Sequence, residues 1–181
     1  KLRQVSLEIT ALSTVAVYAC DEITLTATYT TPLLPNCLEH LTRPVSYLEL
    51  SYTSKDGTAH DVMAHVRLTE ELCLNRAGQS PVETAEVHLN GVHGMRMGNT
   101  EQKPLNRSGD DLRIDWGYVY LAAVGDDIVT DLSKAPQPIH PINMRKQEFI
   151  SVSTAMTEGK SSLILFAYDD IESIEYFHKR L

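Results

Sequence analysis

The sequence predicts an all-β fold, an antiparallel β-sandwich of about ten or more strands with little helix. Two observations support this class. Apolar and polar residues alternate with a period of two in many short runs, which are separated by turn residues. In addition, no run keeps a helical period through three turns, apart from a marginal candidate at residues 171–177, and strands do not alternate with helices. We therefore expect one domain over residues 1–181.

Residues 5–30 are predicted to form a meander of three half-buried strands. Alternating residues at 5–9, a β-branched run at 14–19 and a clean alternation at 23–30 supply the three strands. Prolines then end the third strand, since proline lacks the N–H that a β-ladder needs. Residues 33–44 follow as a connection with one helical turn, and we expect its leucines to cap an open end of the core.

A hairpin is predicted next. A strand at 45–52 is followed by the turn signal Asp56-Gly57, and a second strand runs from about 60 to 68. Residues 75–81 are a loop by composition, and two short strands at 83–89 and 94–98 flank Asn90-Gly91.

The central strand of the predicted sheet covers residues 112–121, after a polar connection at 99–111. Its alternation places one set of residues on the buried face: Leu112, Ile114, Trp116, Tyr118 and Tyr120. Gly117 interrupts the run, which indicates a bulge or a close approach of another backbone segment. Arg113 and Asp115 share the opposite face and are placed to form an ion pair.

In the C-terminal part, residues 124–146 hold three prolines and are predicted to form a surface excursion, a long loop outside the core. A last pair of strands at 147–154 and 161–168 is joined by a turn at 157–160.

Composition excludes several classes of function. The chain has 24 acidic and 16 basic residues, a net charge of −8, and a negative surface repels phosphate backbones, so no nucleic-acid partner is expected. No apolar run approaches the roughly 18 residues of a membrane span. The chain begins at Lys1 without a signal-peptide pattern, and we expect any targeting segment to have been removed.

Cysteine and histidine give weak signals. Cys20, Cys37 and Cys73 allow either one disulfide with a spare thiol or three buried thiols, and buried thiols are the simpler interpretation. The seven histidines are dispersed: His40, His60, His65, His88, His93, His140 and His178. His88 and His93 flank a turn and can approach each other, but no third ligand has suitable spacing, so no metal or other cofactor is predicted.

The binding candidates are carboxylates and one aromatic residue. Asp110-Asp111 and Asp169-Asp170 are adjacent pairs at strand edges, which could share a hard cation or divide acid and base roles. The alternative is that they accept hydrogen bonds from turn N–H groups, as Asp commonly does.

Asp115 is a candidate as a buried carboxylate in a cleft, although a structural ion pair is the simpler interpretation. Trp116 with the two tyrosines that follow could form a sugar-stacking platform, but alternating aromatic residues more often fill a core. No Ser nucleophile elbow and no phosphate-binding loop occurs, so no catalytic residue is assigned.

Four stretches resemble the N-terminal β domain of the glutaminase A family. The matches are GDDLRIDWGYVYLA at 109–122, FAYDDIESIEYF at 166–177, and shorter runs at 41–48 and 60–62. The resemblance implies a secreted or periplasmic location and a helical toroid catalytic domain that follows in the same parent chain, which acts on a small molecule, glutamine. It assigns no catalytic residue in this region.

Two functions of different class follow. In the first, the chain is a non-catalytic accessory domain, excised from a glutaminase-like amidohydrolase, that packs on the helical domain. The segment at 168–177 would then be the hinge. In the second, it is a carbohydrate-binding or glycoside-hydrolase-associated β-sandwich module, which is an argument from fold analogy.

Overall fold

A computed structural model describes residues 1–76, 78–125, 127–130, 148–172 and 175–180. The first strands are β1 Arg3–Ile9, β2 Ser13–Ala19, β3 Ile23–Thr30, β4 Val45–Ser54, β5 Val62–Thr69, β6 Val82–Leu89 and β7 Val92–Asn99. The remaining strands are β8 Tyr118–Val124, β9 Ile128–Thr130, β10 Phe149–Met156, β11 Ser162–Asp169, β12 Glu175–Tyr176 and β13 Lys179–Arg180. Helical structure in these residues consists of the short helix α1, Leu38–Thr42, and one 3-10 turn at Glu70–Leu72.

The fold is an antiparallel β-sandwich, which confirms the predicted class. Within the described part of the chain, eight strands form the larger sheet in the order β1-β2-β3-β4-β11-β8-β7-β6. A smaller sheet, β5-β10-β9, packs against it, and β12 pairs with β13 separately. The predicted meander β1–β3 and the β6–β7 hairpin are both confirmed.

The core lies between the two sheets. The larger sheet contributes Met97, Leu121 and Ile164, and the smaller sheet contributes Ile150 and Val152, all with 0% exposure. Each of these residues sits on the inward face of a strand whose neighbours point outward, as the period of two requires. Burial of such side chains stabilises the fold by roughly 1.5–3 kcal/mol each.

The predicted hairpin at 45–68 is wrong, because its two strands belong to different sheets. Gly57 does form a tight turn with φ of 74°. However, β4 pairs with β3 and β11, whereas β5 pairs with β10. The connection at 55–61 is longer than the roughly two to five residues of a hairpin loop. This longer connection lets the apolar face of β4 and that of β5 pack against each other from opposite sheets. The next such pair, β10 and β11, is likewise divided between the smaller and the larger sheet.

The central strand also differs from its prediction in its start and in its buried face. β8 begins at Tyr118, and its buried residues are Val119, Leu121, Ala122 and Ala123. Leu112 and Ile114, expected inside, are 41% and 44% exposed. Residues 112–117 form no strand, and odd-numbered residues are buried on both sides of Gly117, so the core-facing set is the one opposite to the prediction.

Gly117 also confirms the predicted close backbone approach. A Cβ atom at this position would overlap the carbonyl oxygen of Asp169 and lie 2.7 Å from the Cα atom of Asp170. A side chain here therefore requires the end of β11 to move.

Three further predictions are corrected or extended. The helical candidate at 171–177 is wrong, since Ile171 and Phe177 have φ of 67° and 46° and β12 lies between them; its residues 173 and 174 lie outside the described residues. The helical turn in 33–44 is confirmed by α1, but its leucines do not cap the core, because Leu38 is 71% exposed. The predicted excursion contains β9, and its residues 126 and 131–146 lie outside the described residues.

The three cysteines are free thiols. Cys73 is buried, as predicted, whereas Cys20 and Cys37 are only half-buried. In the described residues, helices are too short and too polar to cross a bilayer.

Candidate functional site

Two amide side chains fix the long connection between β7 and β8. Asn99 is 1% exposed, and its Nδ2 donates to the carbonyl oxygen of Asp115 at 2.8 Å. The Oδ1 atom of Asn99 accepts from the backbone N–H of Glu101 at 2.9 Å and from the hydroxyl of Ser80 at 2.5 Å. Gln102 accepts from the N–H of Gly117 at 2.5 Å and donates to the carbonyl of Asn99 at 2.7 Å. Buried polar atoms are thus paired, and the loop is held in one conformation.

Asp115 is a buried carboxylate inside this network, with 5% exposure. Its Oδ2 accepts from Nε2 of Gln79 at 2.7 Å, and the Nε atom of Arg107 lies 3.7 Å away. The prediction that Asp115 forms an ion pair with Arg113 is therefore wrong. Arg113 instead uses its backbone N–H, which donates to Oδ1 of Asn75 at 3.0 Å.

Gln79 joins the 75–81 loop to this network. Its Oε1 accepts from the N–H groups of Asn75 and Arg76 at 3.0 and 3.3 Å, while its amide nitrogen binds Asp115. One side chain thereby fixes two loops that are far apart in sequence.

Glu70 holds the other side of the same end of the sandwich. It begins the 3-10 turn after β5 and is 5% exposed. One carboxylate oxygen accepts from the N–H of Gly78 at 3.0 Å, and the other accepts from the N–H of Glu148 at 3.3 Å. A carboxylate has about four acceptor positions, so Glu70 keeps acceptor capacity beyond these two bonds.

Glu70 and Gln79 border a cleft of about 340 Å³, which we call the terminal cleft. Its lining residues are Glu70, Gly78, Gln79, Ser80, Pro81, Val82 and Glu148. The volume is at the lower end of the roughly 300–1,000 Å³ of small-molecule sites. Carboxylate, amide and hydroxyl groups dominate the lining, so the terminal cleft is suited to a ligand with many hydroxyl or other hydrogen-bonding groups.

Burial and negative charge shift the pKa of two groups beside the terminal cleft. Desolvation, with the nearby charge of Glu70, raises the pKa of the Cys73 thiol to about 12. The pKa of Tyr168 is also raised, mainly by burial and further by Cys73, Asp170 and Asp115. Its hydroxyl donates to the carbonyl oxygen of Trp116 at 2.6 Å. Both groups therefore stay protonated at neutral pH.

The predicted site residues are only partly brought together. Asp115 belongs to the network behind the terminal cleft, and half-buried Trp116 contributes its carbonyl oxygen. Asp169 and Asp170 pack their backbone against Gly117, and Oδ1 of Asp169 accepts from the N–H of Ile171 at 3.0 Å, as in an Asx turn.

Asp110 and Asp111 are exposed on the connection before β8. Within the part of the chain that the structure describes, no three His, Cys, Asp or Glu side chains gather as metal ligands. The structure therefore gives no support to a cation shared by the two Asp pairs.

The aromatic row does not form the predicted buried face. Tyr118 and Tyr120 are half-buried on the outer face of the larger sheet. The guanidinium of Arg96 lies 4.3 Å from the ring centroid of Tyr118, whose hydroxyl donates to Glu83 at 2.7 Å. That hydrogen bond is the main cause of the raised pKa of Tyr118. Trp116 is set apart from this pair by the irregular backbone at Gly117.

The histidines lie in separate places. His60 bonds Asp56 at 2.9 Å in the turn before β5, and His65 bonds the hydroxyl of Ser153 at 2.7 Å on β10. His88 and His93 do meet, with their Nδ1 atoms 2.8 Å apart, and Glu86 lies beside them. His140 lies outside the described residues.

Sequence reasoning missed the residues that build the terminal cleft. Glu70, Gln79, Asn99 and Gln102 carry no motif, and the 75–81 loop gave only a loop composition. The available signal was the recurrence of amide side chains in the two connections that flank β6 and β7.

These features define a β-sandwich domain with a polar cleft at one end. The chain belongs to the family described as "Domain of unknown function (DUF5127)", which matches residues 12–140. No curated protein matches the chain. A similar solved structure is "Putative kojibiose phosphorylase from human microbiome", with a TM-score of 0.40 and 10% identity over 87% of this chain. The chain spans only 17% of that protein's length.

These comparisons correct the resemblance to the glutaminase A family. The family that matches most of the chain is one of unknown function and not the glutaminase A family. A glutaminase assignment is therefore not supported.

Proposed function

We propose that this domain is a carbohydrate-facing β-sandwich module that binds sugar hydroxyl groups in the terminal cleft. The observation that carries the proposal is the lining of that cleft by Glu70, Gln79, Ser80 and Glu148, in a volume suited to a small ligand. Sugars present several hydroxyl groups that both donate and accept. Carboxylate oxygens accept two or more such bonds, and charged acceptors form stronger hydrogen bonds than neutral ones.

Preorganisation of the cleft supports the same function. Glu70 is held by two backbone N–H groups, and Gln79 is held by two others. A ligand therefore meets groups that are already ordered, and little conformational entropy is lost on binding. The proposal concerns binding alone and assigns no catalytic role.

The test is calorimetric titration of the domain with a panel of disaccharides and short oligosaccharides of glucose, galactose, mannose and xylose. We expect at least one sugar to bind with a dissociation constant of about 1 mM or tighter, which is roughly −4 kcal/mol. Glu70→Gln and Glu148→Gln, which keep side-chain shape, should each weaken binding about tenfold.

Glu71→Gln is the matched control, because Glu71 is exposed on the same 3-10 turn and does not line the cleft. It should bind the sugar as the unaltered domain does. If no sugar in the panel binds, or if the control loses affinity as the cleft variants do, the proposal is refuted.

A second candidate function is docking onto another domain, and one surface favours it. Four apolar side chains at the β1 side of the larger sheet are exposed, and we call this surface the apolar flank. They are Leu7 (52% exposed), Ile9 (71%), Leu12 (37%) and Tyr29 (47%). Ile9, Thr14 and Tyr29 are in register across three strands, so the flank is continuous.

We propose that a helical domain of the same parent chain covers the apolar flank, whereas the sequence predicts the contact with such a domain at residues 168–177. Hydrogen exchange of the parent chain and of this domain alone tests this. Slower exchange of β1 in the parent supports it, and equal exchange refutes it. The secreted or periplasmic location stays a prediction.

A further inference from the structure

Two imidazole rings meet at the end of the β6–β7 hairpin. His88 and His93 face each other directly in the register, with 2.8 Å between their Nδ1 atoms and 5.1 Å between ring centroids. The turn that joins the strands is rigid, since Asn90 and Gly91 have φ of 43° and 77°, as in a type I′ turn. The N–H of Gly125 also donates to the carbonyl of Gly91 at 3.0 Å. The two rings are therefore preorganised.

Glu86 sets the proton positions in the pair. Its Oε2 lies 3.4 Å from Nε2 of His88, so that nitrogen carries the hydrogen and Nδ1 of His88 presents a lone pair. Nδ1 of His93 then donates the hydrogen that the two rings share. The other oxygen of Glu86 accepts from the hydroxyl of Thr130 on β9 at 3.3 Å, which holds the carboxylate in place.

A carboxylate on the far nitrogen of a histidine is the arrangement that orients metal-binding imidazoles. We propose that His88 and His93 bind one divalent transition-metal ion through their Nδ1 atoms, with Glu86 as a positioning residue. The hydrogen on Nδ1 of His93 moves to Nε2 of the same ring, which frees both Nδ1 lone pairs, and the rings turn slightly so that these lone pairs converge on the ion. Water fills the remaining positions, since no third protein ligand gathers there among the described residues.

The rings leave their hydrogen-bonded separation of 2.8 Å when they bind an ion, so the ligand type and not that separation indicates which ion fits. Two imidazole nitrogens with open positions beside them suit a divalent ion that prefers nitrogen ligands. Square-planar or tetragonal nitrogen sites select Cu(II) or Ni(II), and Cu(II) binds such ligands more tightly than Zn(II) does.

The position of the pair gives an ion access from solvent. The side chains of His88 and Glu86 are 57% and 61% exposed. The chain also has a net charge of −8, which raises the local concentration of cations.

The experiment is calorimetric titration of the domain with CuCl₂, NiCl₂ and ZnCl₂ in buffers of different ionisation enthalpy. We expect one Cu(II) per chain, little net proton release above about pH 8, because both rings bind as neutral imidazoles, and an affinity order of Cu(II), then Ni(II), then Zn(II). Electron paramagnetic resonance of the copper-loaded domain should show two nitrogen donors.

The variants His88→Gln and His93→Gln should each weaken Cu(II) binding at least about tenfold, and Glu86→Gln should weaken it roughly tenfold. His65→Gln is the control, since His65 is also exposed on a strand but lies on the smaller sheet. Circular dichroism checks that each variant is folded. Binding by the double variant at these positions as tight as that of the unaltered domain overturns the proposal, as does tighter binding of Zn(II) than of Cu(II).

Discussion

The terminal cleft and the apolar flank depart in opposite ways from the usual distribution of polar and apolar side chains. At the terminal cleft and in the network behind it, Glu70, Asn99 and Asp115 are charged or polar and yet at most 5% exposed. At the apolar flank, Leu7 and Ile9 are apolar and yet 52% and 71% exposed. Both are departures from the usual distribution, in which polar groups lie outside and large apolar groups lie inside.

The difference teaches how each region is stabilised. A buried polar group is costly without partners, and every named group in the cleft network has them. That region is therefore a closed unit, in which removal of one member leaves others unpaired. An exposed apolar group costs the isolated domain little and gains energy only when something covers it. Mutations should consequently act on stability at the cleft and on association at the flank.

The largest expected effect is at Gly117, where the cleft network meets the end of β11. Gly117→Ala should lower the free energy of unfolding by about 3 kcal/mol or more, because the new Cβ overlaps the backbone of Asp169 and the residue has positive φ. Gly57→Ala is the control: its φ is 74°, but no atom lies within 4 Å of the added Cβ. It should cost only about 1–2 kcal/mol. Urea denaturation measures both, and equal losses would contradict the steric explanation.

Asn99→Ala should have the next largest effect. It leaves the carbonyl of Asp115 and the N–H of Glu101 without their partners, which we expect to cost about 2–3 kcal/mol in the free energy of unfolding. Asn106→Ala, an exposed amide in the same connection, should change it by less than about 0.5 kcal/mol. Similar losses in the two variants would show that the network does not hold the loop.

The sequence predicted the class of fold well, because alternation records which face of a strand is buried. It predicted the β6–β7 hairpin from Asn90-Gly91, since that turn chemistry is local. The prediction that β4 and β5 form a hairpin failed, because turn residues do not tell whether the next strand joins the same sheet or the opposite one. The prediction for β8 also placed the wrong face in the core, because both alternating sets of residues hold apolar side chains and the pattern alone does not tell which set faces inward.

The candidate site was less predictable, for a physical reason. The sequence offers Asp115 as a candidate buried carboxylate but favours an ion pair with Arg113. The observed partners of Asp115, Gln79 and Arg107, come from other loops. Such contacts depend on tertiary structure, and no local pattern encodes them. His88 and His93 were seen to flank a turn, yet the role of Glu86 depended on the strand geometry.

Alkaline pH should sharpen the comparison, because it lowers stability at the cleft end through the thiol of Cys73. The folded thiol of Cys73 has its pKa raised to about 12, whereas an unfolded thiol ionises near 8.5–9. Above about pH 9 the unfolded state loses this proton and the folded state keeps it, so stability falls as pH rises from about 9 to 12. The slope is roughly 1.4 kcal/mol per pH unit for this group.

Cys73→Ala should remove that part of the slope, measured by urea denaturation between pH 8 and 10. Val66→Ala, a half-buried change on β5 that does not titrate, should lower stability at both pH values and leave the slope intact. An unchanged slope in Cys73→Ala would show that the thiol does not control the alkaline loss.

The smallest effect on stability is expected at the apolar flank. The double variant Leu7→Ser, Ile9→Ser should change the free energy of unfolding by less than about 1 kcal/mol, because both side chains are already mostly in water. Self-association of the isolated domain should fall, since the exposed apolar area on a free strand edge drives it. Sedimentation velocity over a range of concentrations measures this.

Val129→Ser is the matched control, because Val129 is 57% exposed on β9, away from the flank. It removes a similar exposed apolar group and should leave association unchanged. If the flank variant unfolds easily, these side chains act as core. If both variants reduce association equally, general hydrophobicity explains the behaviour, and the flank has no special role as a docking surface.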